Sequence, residues 1–183
     1  NGTSTADGRC TATISRNGDL VHRMYIELDN AGSNIEADSA VSNPGAYFVN
    51  SVELEIGGQK IDKHTGHWME VWSELTQDNP SATTATGTGM TTATLFQKMS
   101  GMGGVNQHQT FNHIYIPLFF WFCRNPGLAL PLIALQYHEV KVILDHNITG
   151  VCHDGGGGAK ATINKLWCDY IYLDTDERRR FAQ

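Results

Sequence analysis

The chain has 183 residues, 40% of them hydrophobic and 17% charged, which excludes an intrinsically disordered polymer and fits a single globular domain. Its formal net charge of −6 argues against a nucleic-acid surface, which needs clustered lysine and arginine. The one basic cluster, Arg178-Arg179-Arg180, follows Asp174, Asp176 and Glu177 and reads as a solvated or inter-domain charge run. The longest apolar candidate for a membrane span, Ile114 to Cys123, is about half the length required.

In chain order, Cys10 to Ile14 and Leu20 to Leu28 alternate with period two, and Arg16-Asn17-Gly18 between them is a tight-turn signal. If the two pair as a hairpin, a three-residue loop with Gly18 left-handed keeps Ile14 opposite Leu20 and Cys10 opposite Met24. If the link crosses between sheets, that pairing does not apply. Asp29 to Gly45 is polar and reads as a loop. Tyr47 to Ile56 is the next strand, with Val52, Leu54 and Ile56 inward and Ser51, Glu53 and Glu55 outward. Gly57-Gly58 turns the chain, and Gln59 to Ile61 returns briefly. Asp62 is positioned to cap a helix whose Trp68, Val71, Trp72 and Leu75 repeat at i, i+3, i+4 and i+7, which Asn79-Pro80 ends. Ser81 to Gly104 lacks any apolar period and reads as a surface insertion.

Phe111 to Phe122 reads as a strand of alternating, then continuous, apolar character. Asn125-Pro126-Gly127 is a turn. Leu128 to Leu135, interrupted by Pro131, is a buried extended connector, since Pro131 forbids one continuous helix. It feeds a strand in which His138, Val140, Val142 and Leu144 share the buried face. His153 to Lys160, with four glycines, is a flexible link. Ile163 to Asp174 is the last strand, with both faces partly covered. About six alternating strands, one short amphipathic helix and no βα repetition define an all-β antiparallel sandwich.

Candidate chemistry is sparse. His64, His67 and Glu70 stand at helical spacing and are the residues a metal would draw on, but they do not match HExxH, so the reading is a solvent face or interface with no metal. Asp145-His146 and Cys152-His153-Asp154 offer acid and base groups without a nucleophile elbow or oxyanion signature. The glycine tracts lack a phosphate-loop context. Glu53 and Glu55 mimic a glycosidase pair only if a facing strand offers a cleft. The sequons are Asn1-Gly2-Thr3 and Asn147-Ile148-Thr149, and Asn147, in a surface loop, is the candidate glycosylation acceptor. Cys10, Cys123, Cys152 and Cys168 show no C-x-x-C pair and read as buried free thiols. No catalytic residue and no cofactor are expected.

Pro126 to Val142, PGLALPLIALQYHEVKV, resembles the signature of the major capsid proteins of large nucleocytoplasmic DNA viruses, particularly the algal-virus type. Ser15 to Leu20 (SRNGDL), Val52 to His64 (VELEIGGQKIDKH), Asp169 to Asp174 (DYIYLD), Asp176-Glu177-Arg178 and Arg180 to Gln183 agree in the same order. The resemblance implies an antiparallel jelly-roll β-sandwich, the first half of a double jelly roll. Residues 1–175 would form that partial first jelly roll, and 176–183 would begin the linker to the second. A jelly roll has eight strands, so about two are expected upstream of Asn1. The chain begins without Met and ends mid-pattern, which reads as a piece of a longer chain. The implied function is structural: homotrimers forming pseudo-hexagonal capsomers that contact neighbouring capsomers and minor capsid proteins, located in the virion and synthesised in the host cytoplasm. The other reading of a β-sandwich is a carbohydrate-binding or glycosidase-like domain, which needs exposed aromatics on one strand face or converging carboxylates.

Overall fold

The computed structural model describes residues 2–4, 7–29, 35–36, 42–78, 93–105, 110–111, 113–151 and 162–181. Eight strands carry the fold: β1 (Gly2–Ser4), β2 (Gly8–Thr13), β3 (Leu20–Asp29), β4 (Val49–Ile56), β5 (Gln59–Thr65), β6 (His113–Pro117), β7 (Val140–His146) and β8 (Thr162–Ile171). They form two antiparallel sheets in the orders β1-β8-β3-β6 and β2-β7-β4-β5, and the short strand Leu130–Pro131 adds to the first beside β3. The chain crosses from one sheet to the other after β1, β2, β3, β5, β6 and β7, which is the wrapping of a jelly roll. Eight principal strands therefore lie within the described residues, against about six in the sequence reading, besides the short strands Leu130–Pro131, Ile35–Glu36 and Thr110–Phe111, the last two paired with each other. The additions are Gly2–Ser4, and a Gln59–Thr65 strand longer than the brief return expected.

Period-two alternation places the core. On β3, Met24, Ile26 and Leu28 point inward, with Ile26 between Leu166 of β8 and Ile116 of β6. Facing them, Val142 and Leu144 of β7 pair with Leu54 and Val52 of β4, and all four are buried. Each such side chain taken out of water contributes roughly 1.5–3 kcal/mol. Gly57 and Gly58, at φ 60° and 82°, form the two-residue turn between β4 and β5, where positive φ at both positions matches the sheet twist.

Several expected elements are built differently. Cys10–Ile14 and Leu20–Leu28 are not a hairpin, because β2 pairs β7 while β3 pairs β8 and β6, so the link crosses between sheets. Gly18 is not left-handed either. The strand expected from Tyr47 begins at Val49, after helix α1 (Pro44–Phe48). Helix α2 spans Gly66–Thr76, and its cap is Thr65, whose hydroxyl accepts from the Trp68 amide at 3.2 Å. Asp62 instead stays in β5, because the ladder with β4 continues to the pair Ser51–Thr65. Part of the expected long insertion is helix α3 (Leu95–Ser100), opened by a capping box of Thr94 and Gln97. Phe111 to Phe122 is not one strand: β6 ends at Pro117, and Trp121–Arg124 is helix α4. The connector after Asn125 is a short 3-10 turn, Pro126–Leu128, followed by Leu130–Pro131, with Leu130 and Leu132 buried but Leu128 exposed. The strand after it starts at Val140, so His138, expected on its buried face, lies outside it and is exposed, as is Tyr137 at 94%. The tract from His153 to Lys160 lies outside the described residues.

Helix α2 approaches the sandwich through Gly66, where an added Cβ would run into the carbonyl oxygens of Ala46 and Val49. Both are backbone atoms and cannot swing aside. Gly66→Ala is expected to lower the unfolding free energy by about 3 kcal/mol, the upper end of overpacking costs, in urea titration. An unchanged midpoint would show that α2 is not seated this closely.

Candidate assembly surfaces

The loop Ser15–Asp19 must cross from β2 to β3, and its polar groups turn to three other segments. Arg16 donates to the carbonyl oxygens of Leu135 at 2.7 Å, His138 at 3.0 Å, and Gln136. Asp19 accepts from the Leu173 amide at 2.8 Å and from Arg178 at 2.9 and 3.0 Å. Its own amide donates to Ile171, and its carbonyl accepts from Ile133. Tyr170 donates its hydroxyl to the Ser15 carbonyl at 2.7 Å. Gly18 is required by proximity, since a Cβ there would lie 2.7 Å from that of Tyr170. The Leu173 amide first, then Arg178, holds the Asp19 carboxyl below the ordinary carboxylate value, against some desolvation. Arg178 thus leaves the solvated charge run expected of it and anchors helix α5 (Thr175–Phe181). Segments far apart in sequence, and singled out by the resemblance, meet at one joint. Asp19→Asn is expected to speed amide exchange across residues 171–181 about tenfold, with the core strands unaffected. Equal acceleration in β7 would mean that Asp19 supports the whole domain instead.

A second feature is a ladder of rings running from core to surface. Phe120, fully buried, stacks on His64 at 5.0 Å, His64 on Trp68 at 4.1 Å, and Trp68 on Trp72 at 5.6 Å. The Arg124 guanidinium closes the series 4.4 Å above the Trp72 ring. His64 Nε2 lies 3.3 Å from Asp62, while its Nδ1 has no hydrogen-bond partner. Burial depresses the His64 pKa; Asp62 opposes this and Arg124 adds to it. His146, stacked on Phe48 at 5.5 Å, is depressed likewise by burial, against Asp7 and Asp145. Both rings stay neutral while their unfolded counterparts take up protons below about pH 6.5. A depressed pKa means stability that is present at higher pH and is lost as the pH falls. Unfolding free energy should therefore drop between about pH 7 and 5.5, and His146→Phe, which keeps the stacked ring, should flatten part of that slope. A slope unchanged in His146→Phe would exclude His146 as a contributor.

Each sheet also buries one glutamate on its outer face. Glu53 is held by Arg9 at 3.0 Å, Lys60 at 2.9 Å and Lys63 at 3.1 Å. Lys60 first, then Lys63, keeps its carboxyl below the usual range. Glu27 accepts from the Trp167 indole at 2.6 Å and from Lys165 at 3.3 Å. Burial pushes the Glu27 pKa up, but Trp167 and Lys165 outweigh it and leave the carboxyl lowered. The sequence reading gave Glu53 a solvated face. The strand parity was right, but long cationic side chains from β2 and β5 cover it. Tyr25, Tyr115, Trp167 and His113 surround Glu27, with Tyr25 and Trp167 6.4 Å apart and nearly parallel.

The residues singled out for chemistry are scattered. His64 lies inside on β5, His67 is exposed on α2, and Glu70 accepts the amides of Gly103 and Gly104. The helical spacing assumed for them holds for His67 and Glu70 but fails for His64, because α2 begins only after Thr65. The one grouping of potential metal ligands among the described residues is Glu27, Asp29 and His113, with ligand atoms within 4.8 Å of one another, and the Lys165 ammonium already sits on Glu27 there. Asp145 accepts from Asn50, His146 is buried against Phe48, and Cys152-His153-Asp154 lies outside the described residues. Glu55 faces Lys141 rather than a cleft. Asn147 is half-buried and accepts from the Gly150 amide at 3.2 Å, while Thr149 is bound to Asp7 at 2.7 Å, so the sequon is folded into a pinned turn. Cys123 and Cys168 are half-buried, with burial pushing their thiols up to about 12 and about 11, whereas Cys10 is exposed rather than buried. Cys10, Ala12, Leu166, Cys168 and Tyr170 line a cleft of about 940 Å³ between β2 and β8. The buried glutamates and the joint had no local sequence signal, whereas Thr94-x-x-Gln97 was a readable cap.

Two antiparallel sheets in this strand order define a jelly-roll domain. The family described as major capsid protein N-terminus matches residues 1–174, and the chain belongs to that family. It is 46% identical over 186 residues to the major capsid protein of Pyramimonas orientalis virus, covering 100% of this chain and 44% of that protein. It is 37% identical over 191 residues to that of Paramecium bursaria Chlorella virus 1, covering 100% and 40%. The quasi-atomic model of the PBCV-1 virus capsid superposes with a TM-score of 0.68 at 33% identity, covering 100% of this chain and 42% of that one. The Faustovirus major capsid protein, at 12% identity and TM-score 0.58, shares the fold, with 98% and 54% of the two chains covered. The chain spans less than half the length of the curated relatives named here.

Proposed function

We propose that this chain is the first jelly roll of a major capsid protein, a structural component of the virion of a large DNA virus. The observation that carries the reading is a family match over residues 1–174 coinciding with eight strands in jelly-roll order. On this reading residues 1–175 are the domain and 176–183 begin the linker, with Asp19 and Arg178 setting the direction in which the chain leaves. The full-length protein forms a homotrimer through head-to-tail contacts whose rotation closes, giving a pseudo-hexagonal capsomer that meets neighbouring capsomers and minor capsid proteins. It is synthesised in the host cytoplasm, and the role requires no catalytic group and no cofactor. Light scattering behind a sizing column, on the full-length protein, should return three times the monomer mass. A folded monomer at micromolar concentration would overturn the trimer.

One observation favours a second reading. Tyr25, Tyr115 and Trp167 share the outer face of the first sheet beside Glu27, and Trp167 is 46% exposed, as a sugar-binding face requires. Specific binding on a glycan array, abolished by Trp167→Ala, would establish it.

A further inference from the structure

Helix α2 is docked so that part of its apolar stripe stays exposed. Its inward residues are Gly66, Met69 and Ser73, and Ser73 donates its hydroxyl to the Met69 carbonyl. Of the four large apolar residues spaced for one helix face, Trp68 and Trp72 are partly buried against the core, whereas Val71 and Leu75 turn to the surface. Val71 is 44% exposed and Leu75 78% exposed, while the two tryptophans are half-buried. We infer that this stripe is a contact that one copy of the protein offers to another, an inference that rests on the capsid reading above.

Three observations point to a second copy as the occupant. Trp68 is held by stacking on His64 and against Phe119, and Trp72 by stacking on Trp68, so they are rigid anchors that lose little freedom on association. Arg124, exposed above Trp72, makes no ion pair with any described residue. A chain of net charge −6 offers carboxylates to such a rim cation from a neighbouring copy. A closed ring of identical subunits, moreover, requires each copy to present one patch to a different patch on the next. The outer sheet faces fill their glutamate sites from within the chain, whereas Val71 and Leu75 of this stripe stay uncovered among the described residues. Four side chains fall short of the roughly 1,000 Å² of a stable interface, so the stripe is the centre of a wider contact.

The test uses the full-length protein. Leu75→Asp and Val71→Asp should each raise the concentration of half-dissociation at least about tenfold in sedimentation velocity, with the circular dichroism of wild type retained. Tyr137→Asp, at the 94% exposed position on the connector, should leave the oligomer intact. If the wild type is itself monomeric, the capsid reading fails and this contact with it. If the wild type is trimeric and both α2 variants remain so, only the contact is overturned. Equal dissociation by Tyr137→Asp would also overturn it, since added charge alone would then suffice. Should either aspartate variant misfold, Leu75→Gln removes the apolar tip without a buried charge and is held to the same expectation.

Discussion

The crossing between sheets is the constraint on which this domain depends. A jelly roll brings its chain over the inter-sheet gap repeatedly, and each crossing exposes backbone groups that no ladder satisfies. At Ser15–Asp19 the problem is solved with side chains. Arg16 gathers the carbonyls of the turn that precedes β7, and Asp19 collects the amide and guanidinium at the exit of β8. Charge-assisted hydrogen bonds are about twice as strong as neutral ones, which suits a loop that must hold three segments in place. The exit of the chain is thereby fixed relative to the core, and anything that follows α5 inherits that direction.

Where period two ruled, the sequence was legible. The apolar inward sets on β3, β4 and β7 are the ones that alternation named, His138 excepted, because a one-residue slip would turn every apolar side chain to water. It failed where two local signals competed. Asp62 and Thr65 are both good helix caps, and the β4–β5 ladder, which no local rule sees, decided for Thr65. Between Leu118 and Phe122 the apolar run has no period, so a buried bend looks like a strand. The N-G turn after Arg16 left a hairpin and a crossing both open; it serves a crossing, and the glycine is there for Tyr170. The stripe of helix α2 was legible in part, since Trp68 and Trp72 pack against the core while Val71 and Leu75 stay exposed.

Burial of charge was illegible for a related reason. Parity placed Glu27 and Glu53 outward, and both are outward, but each is enclosed by long side chains from flanking strands. Only the register, set by pairings distant in sequence, brings Lys60 and Lys63 or Lys165 and Trp167 over the carboxylates. A buried carboxylate left unpaired would cost several kcal/mol, so the cations secure the register as much as they answer it.

These features bear together on how such domains meet. A sandwich can associate through its strand edges, its sheet faces or its ends. Three of the four edges here are blunted: β1 has three residues, β6 ends in Pro117, and β5 carries Lys60 and Lys63. The carboxylates buried on the faces are matched within the chain, so a neighbour gains little by pairing with them. The outward side of α2 has neither protection. It stands where the chain passes from one sheet toward the other, with a rigid aromatic ladder beneath it and aliphatic side chains in water. An assembly built through α2 leaves both sheets undisturbed, so the domain can fold first and associate afterwards.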